Sequence, residues 1–368
     1  MSVTTASTTA SSVEQAVDEI REQCNGISPR VVYFFASSQY DPASISRAMR
    51  DAFPEAQVIG CSTAGEITSG RVMTNSIVAM AFDEGTIGGV ACSVVADVTS
   101  AESLADAVRE LEEEIGMPLR ELDFQKYVGV ILIDGLSGSE ERVMDRLGDL
   151  TDVSFIGGSA GDDLNFKSTY VYLNGAAYTN AAVLVLLKPA KKFDIIKTQS
   201  FRTLNTVLVP TKVNESRREV IEFNNMPAVL AYARALGIPA EEAPKRFMHN
   251  PVGLVTGDDF FVRSPRRVEG GSILFYCMVK EGMELALLES TDIVADTRKA
   301  VNEKVRQLGG ASALINFHCI LRALELEEKG QGKAYGSIFT DIPTIGFSTY
   351  GEEYIGHINQ TSTMLIFK

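Results

Sequence analysis

The sequence predicts an α/β fold: two domains with mixed β-sheets, built from repeated strand–helix–strand units and flanked by helices. Three observations carry this. Residues 58–66 (V-I-G-C-S-T-A-G-E), 155–162 (F-I-G-G-S-A-G-D) and 344–352 (T-I-G-F-S-T-Y-G-E) are variants of one motif, with Gly ahead of Ser, then a second Gly, then a carboxylate. Each follows an apolar strand-like run and a segment of helical period: 31–36 and 45–53, 128–133 and 141–150, 313–317 and 320–328. The first two copies share one offset, Val31 against Val128 and Gly60 against Gly157. The first and third continue alike through Gly70 and Gly356, then Asn75 and Asn359, each Asn ahead of an apolar strand. Self-similarity of this kind marks one supersecondary unit used three times.

Strand–helix–strand units with short loops place neighbouring strands parallel through right-handed crossovers. Additional β-rich runs at 76–82, 88–95, 169–173, 181–187 and 194–208 make the sheets mixed. Residues 1–22 read as a disordered or helical tail, because the first dozen are mostly Ser, Thr and Ala without a basic start or an apolar core. A polar stretch, 211–225, precedes an amphipathic helix at 226–236, which sets the boundary between a first domain, 23–222, and a second, 223–368. The second domain has strand-like segments at 253–256, 260–263, 273–279 and 285–288. Its long helix, 293–308, is stopped by Gly309-Gly310 before the third copy of the unit.

The chain has 368 residues, 45% hydrophobic and 22% charged, a globular composition that suits two domains. Forty-eight acidic against 34 basic residues leave a net charge of −14, which disfavours nucleic acid or an anionic membrane as the main ligand. Five separated cysteines without a C-x-x-C pair favour a reducing cytoplasm. The longest apolar run, 181–187, is strand-sized, so no membrane role is expected.

A Gly-Ser-Gly turn at the carboxyl end of a parallel strand can present backbone N–H groups to a carboxylate, phosphate or propionate. The motif serines Ser62, Ser159 and Ser348 and the closing acids Glu66, Asp162 and Glu352 are therefore candidate ligand contacts, together with Gly346. The alternative is a tight chain reversal that the acid caps. Just past the first strand of each copy stand Ser37, Asp134 and His318, expected at the same edge as the turns. His318 and His357, two of only three histidines, are expected to approach that edge together. His318 is either a ligand or a buried neutral histidine. Residues 157–161 also satisfy G-x-S-x-G, but a strand follows where a hydrolase needs a helix, so serine hydrolysis through Ser159 is the least favoured reading.

The I-G-C-S-T-A-G-E and F-I-G-G-S-A-G-D-D turns, N-N-M-P-A-V-L-A-Y and I-G-F-S-T-Y-G-E-E-Y resemble the landmarks of the FIST sensory family, from about residue 28 to the end. The resemblance implies signal transduction, ligand sensing and no catalysis. I-N-F-H-C-I-L-R-A-L-E-L and Y-I-G-H-I-N-Q-T look most like the haem-binding members that sense nitric oxide and act on a histidine kinase in a two-component system. It further implies haem b, His318 as the axial iron ligand with His357 as runner-up, and Arg322 with the glycine turns as propionate contacts. The rival reading is a haem-free module for an amino acid or another metabolite.

Overall fold

The computed structural model describes residues 2–257 and 259–368. Three six-stranded mixed sheets form the body of an α/β fold, and a smaller lobe is built from residues 201–290. In each body sheet two parallel strands form the centre: Val31–Ser37 beside Gln57–Thr63, Val128–Ile133 beside Phe155–Ser159, and Ala313–Cys319 beside Thr344–Thr349. The linking helices Pro42–Ala52, Glu140–Leu150 and Ile320–Glu328 supply the crossovers.

The repeating unit is longer than strand–helix–strand. Each copy continues into a hairpin and then a strand that returns antiparallel to its first: Ile77–Phe82, Ala182–Pro189 and Thr361–Phe367. Each copy also begins with an outer strand and a helix. These are Val3–Thr8 with Val13–Gln23, Ile87–Val95 with Ala101–Ile115, and Phe193–Gln199 with Ile293–Leu308. Residues 3–8, expected as tail, are thus an edge strand paired with Ile77–Phe82. Their Thr, Val and Ala side chains suit a half-buried strand, and the pairing closes an edge that would otherwise stay open. Residue 1 lies outside the described residues.

Hairpins are exchanged cyclically between copies. The first copy's hairpin, Glu66–Thr68 and Arg71–Met73, pairs with Thr344–Thr349 of the third. The third copy's, Glu352–Tyr354 and His357–Ile358, pairs with Phe155–Ser159 of the second. The second copy's, Val171–Leu173 and Ala176–Tyr178, pairs with Gln57–Thr63 of the first. Alternate side chains of the central strands then face one shared core, including Tyr33, Phe35, Val130, Leu132, Ile315, Phe317 and Phe347. Phe35 and Phe347 meet there with ring centroids 4.6 Å apart.

The lobe interrupts the third copy between Phe193–Gln199 and Ile293–Leu308. It has a four-stranded and a five-stranded sheet, the helix Ala228–Leu236 and its own core around Phe223, Tyr232 and Phe275. Sheets therefore cross the expected boundary near residue 223, because residues 293–368 rejoin the body rather than the lobe.

Candidate functional site

The first glycine of each motif exists because of the parallel pair it belongs to. A Cβ at Gly60, Gly157 or Gly346 would sit 2.2, 1.7 or 2.2 Å from the carbonyl oxygen of Phe34, Ile131 or Asn316 on the neighbouring strand. Gly346 thus serves close strand approach. Beyond it the three turns interlock: Ser159 N donates to Gly351 O (2.9 Å), Ser348 N to Gly65 O (2.7 Å), and Gly161 N to Ser62 O (2.9 Å). Ser62 Oγ returns a bond to Gly161 O (2.7 Å). The turns gather, and they answer one another's backbone groups.

The closing acids are also answered from inside. Glu66 accepts from Thr63 Oγ1 and from Ser76 N and Oγ. Glu352 repeats the pattern with Thr349 Oγ1 (2.6 Å) and with Thr361 N (3.1 Å) and Oγ1 (2.7 Å). Burial, outweighing these bonds, raises Glu66 to about 8 and Glu352 to about 7. Asp162 accepts from the backbone N–H groups of Phe166, Lys167 and Ser168 and from the Tyr350 hydroxyl. Asp134 accepts from Leu136 N, Asn180 N and Thr169 Oγ1. Ser159 is fully buried, its Oγ 3.2 Å from Glu353 Oε1, and a loop rather than a helix follows it.

Two cavities flank the interlocked turns. One, about 680 Å³, opens between the first copy's hairpin and the helix Ile320–Glu328; Gly65, Ser348, His318, Ala323, Leu326 and Tyr335 line it. The other, about 620 Å³, lies between the second copy, the third copy's hairpin and the lobe, where Glu140, Phe166, Arg266, Tyr350, His357 and Asn359 meet. Of the expected site residues, His318 and Ser348 face the first cavity and His357 the second. Ser62, Glu66, Asp134, Ser159, Asp162, Arg322, Gly346 and Glu352 line neither. The two histidines are consequently not brought into one pocket.

Strand register explains why His318 is exceptional. It pairs with the motif serine Ser348, the position held by Ala36 opposite Ser62 and by Ile133 opposite Ser159. Where the other copies place an apolar side chain against their helices, the third places an imidazole. His318 is 2% exposed; its Nδ1 lies 2.9 Å from the Tyr335 hydroxyl, while its Nε2 has no hydrogen-bond partner. Tyr335 also accepts from Asn316 Nδ2 (3.1 Å) and reaches Ser362 Oγ (3.4 Å), which donates to Asn316 Oδ1 (2.7 Å). Burial, assisted by the Arg322 guanidinium, holds His318 well below the ordinary histidine range, so the ring is neutral at physiological pH.

Arg322 itself is buried and donates to Thr297 Oγ1 (2.8 Å). His357 is the opposite case. Burial alone would lower it, but Glu353, 3.0 Å from its Nδ1, raises it to about 9 and makes it an imidazolium. Sequence reasoning missed Tyr335, Arg71 and Lys333 on the first cavity, and Arg266 on the second. Asn359 was visible as a repeat landmark, but only the structure puts it beside a cavity.

Among the described residues no helix is long and apolar enough to cross a membrane, and no group of three or more His, Cys, Asp or Glu is placed to hold a metal ion. Two family models match: FIST N domain over residues 30–226 and FIST C domain over residues 228–354. The chain is also similar to uncharacterized protein MJ1623 of Methanocaldococcus jannaschii, 24% identical over 274 residues, covering 69% of this chain and 52% of that protein. It thus spans about half the length of the curated relative it matches.

Proposed function

The chain belongs to the FIST family of sensory, signal-transduction domains, and on that premise we propose a haem-based nitric oxide sensor that regulates a partner histidine kinase, with His318 as the axial ligand. The observation that carries this is the unpartnered Nε2 of a buried, neutral imidazole on the wall of a largely apolar cavity. An unanswered buried nitrogen is costly in a finished core and is what an iron ligand requires. The cavity, about 680 Å³, falls within the size range of small-molecule and cofactor sites.

The residues around it fit haem b. Tyr335 fixes the imidazole ring through Nδ1, the outer-shell contact that sets tautomer and orientation in metal-binding histidines. Arg71 and Lys333 line the same cavity and supply positive charge for propionates; burial, with the Arg322 guanidinium adding to it, keeps the imidazole uncharged. Bound there, ferrous haem supplies the coordination position at which nitric oxide binds. His318 is the penultimate residue of its strand, and the helix Ile320–Glu328 follows at once. A change in the pull on the imidazole passes directly into that helix, whose exposed residues, Glu327 and Glu328, lie at its far end.

The test is an absorption spectrum of the full chain after expression with haem supplied. A Soret band that shifts with nitric oxide, is lost in His318→Ala and survives in His357→Ala is expected. A protein that takes up no haem, or keeps an unaltered band in His318→Ala, removes the reading.

A further inference from the structure

Asn359 raises a question that the haem reading does not answer. Its side chain is 1% exposed, and neither Nδ2 nor Oδ1 has a hydrogen-bond partner, yet it stands on the wall of the cavity of about 620 Å³ beside the lobe. A buried primary amide with its donor and its acceptor both unanswered is among the least tolerated features of a protein interior. Glu140, Glu141 and His357 of the same wall have protein partners. Glu140 and Glu141 are both held by Arg218, at 2.8 and 2.5 Å, and His357 is held by Glu353.

The rest of the wall describes what would answer the amide. Arg266 has no carboxylate partner among the described residues; its guanidinium lies 6.0 Å from the Phe166 ring centre and 5.7 Å from that of Tyr276. An arginine held against rings keeps its hydrogen-bonding edge for a carboxylate. Phe166 and Tyr350 stack at 5.1 Å and 24°, and Phe166 remains 47% exposed with Leu136 and Leu164 exposed beside it. That leaves an apolar rim uncovered at the mouth of a cavity.

We infer that this cavity is a second ligand site, for an aromatic carboxylic acid carrying a hydroxyl or ring N–H. The carboxylate meets Arg266, the flat body lies against the Phe166–Tyr350 stack, and the polar substituent pairs with the Asn359 amide. The site stands apart from the haem reading, since His318 faces the other cavity. Ile320 and Leu324 line both cavities, so the helix Ile320–Glu328 is their common wall.

Titration calorimetry on the full chain tests it with four probes: benzoate, 4-hydroxybenzoate, 4-hydroxyphenylacetate and indole-3-acetate, with 4-hydroxyphenylacetamide as the uncharged control. At least one of the three acids that carry a hydroxyl or ring N–H is expected to bind, with benzoate, which lacks that group, weaker and the amide at least tenfold weaker. Arg266→Met, at an exposed position that leaves the fold intact, is expected to lower affinity at least tenfold, and Asn359→Leu to abolish binding. Acid binding by the chain expressed without added haem is expected to match that of the haem-loaded chain, which separates failure of this site from failure of the haem site. Binding by none of the three substituted acids, benzoate binding as tightly as they do, equal binding of acid and amide, or full affinity in Arg266→Met overturns the assignment. Should Asn359→Leu fail to fold, Arg266→Met and the amide control still decide it.

Discussion

At the interlocked turns polar groups answer one another, whereas at the two cavities beside them they are left over. Ser348, Ser159 and Gly161 each donate across a copy boundary, and Glu66 and Glu352 are capped by the same pattern of hydroxyl and backbone N–H groups. A short distance along the same strand ends, His318 Nε2 and both amide atoms of Asn359 have no partner. The turns consist of residues that the copies share; His318, left over in the first cavity, stands where the other copies have Ala36 and Ile133. At the third equivalent junction, between the first copy's strand end and the second copy's loop, Asp163 closes the space by accepting from Ser37 Oγ (3.0 Å) and from Ser38 N (3.0 Å) and Oγ. Repetition has built the frame, and a departure from it at His318 has equipped one of its three junctions.

The sharpest way to break that contrast is to alter a shared residue. In Gly157→Ala the added methyl would sit 1.7 Å from the Ile131 carbonyl oxygen, in backbone that cannot yield without parting the parallel strands. A loss of about 3 kcal/mol or more is expected, the upper end of what overpacking costs. Urea unfolding should show a large fall in midpoint or an insoluble product. Near-wild-type stability would mean that the turns are not the rigid frame described above.

The acids come next, because they give the frame a pH dependence. Glu66 holds its proton to about 8 when folded, against 4.5 for the ordinary side chain. Between those values the native state binds more protons than the unfolded state, so stability falls as pH rises. The contribution is complete below pH 4.5 and gone above about 8. Glu352, raised to about 7, acts in the same sense over a shorter window. On the order of 5 kcal/mol is at stake for Glu66, at about 1.4 kcal/mol per pH unit. His357 loses its own contribution only as pH rises from 6.5 through about 9, so the comparison is cleanest between pH 4.5 and 6.5. There, Glu66→Gln should flatten the decline in urea midpoint with pH. An unchanged slope would place the ionisation elsewhere.

The frame was legible in the sequence where the repeat is dense. The three motifs, their preceding strands and helices, and the gathering of the turns all follow from G-x-S patterns at matching positions. The cyclic exchange of hairpins was not legible, since no local signal says which sheet a three-residue strand such as Glu66–Thr68 will join. Residues 3–8 read as tail because Ser and Thr dominate them; their place is set by an open edge on another strand. The insertion of the lobe within the third copy hid the kinship of Phe193–Gln199 and Ile293–Leu308 with the opening strands and helices of the other copies. Of the chemistry, His318 stood out through rarity and position. Tyr335, which orients it, sits in a five-residue helix, Gly332–Gly336, with no periodic signature of its own.

Tyr335 also permits the finest test of the contrast, because it is a unique residue that performs a framing task. Removing its hydroxyl in Tyr335→Phe leaves His318 Nδ1 and Asn316 Nδ2 without their acceptor while preserving the ring that packs on Phe339 at 5.5 Å. Stability should fall by about 1–2 kcal/mol, the usual cost of stranding buried polar groups. With the ring of His318 free to rotate and its tautomer unset, affinity for haem should fall by about 10- to 100-fold, the range seen when an outer-shell partner is lost. Haem titration followed at the Soret band, beside urea unfolding of the same variant, separates the two effects. A loss of stability with haem affinity intact would assign Tyr335 to the frame alone; loss of both would show one hydroxyl serving fold and site together.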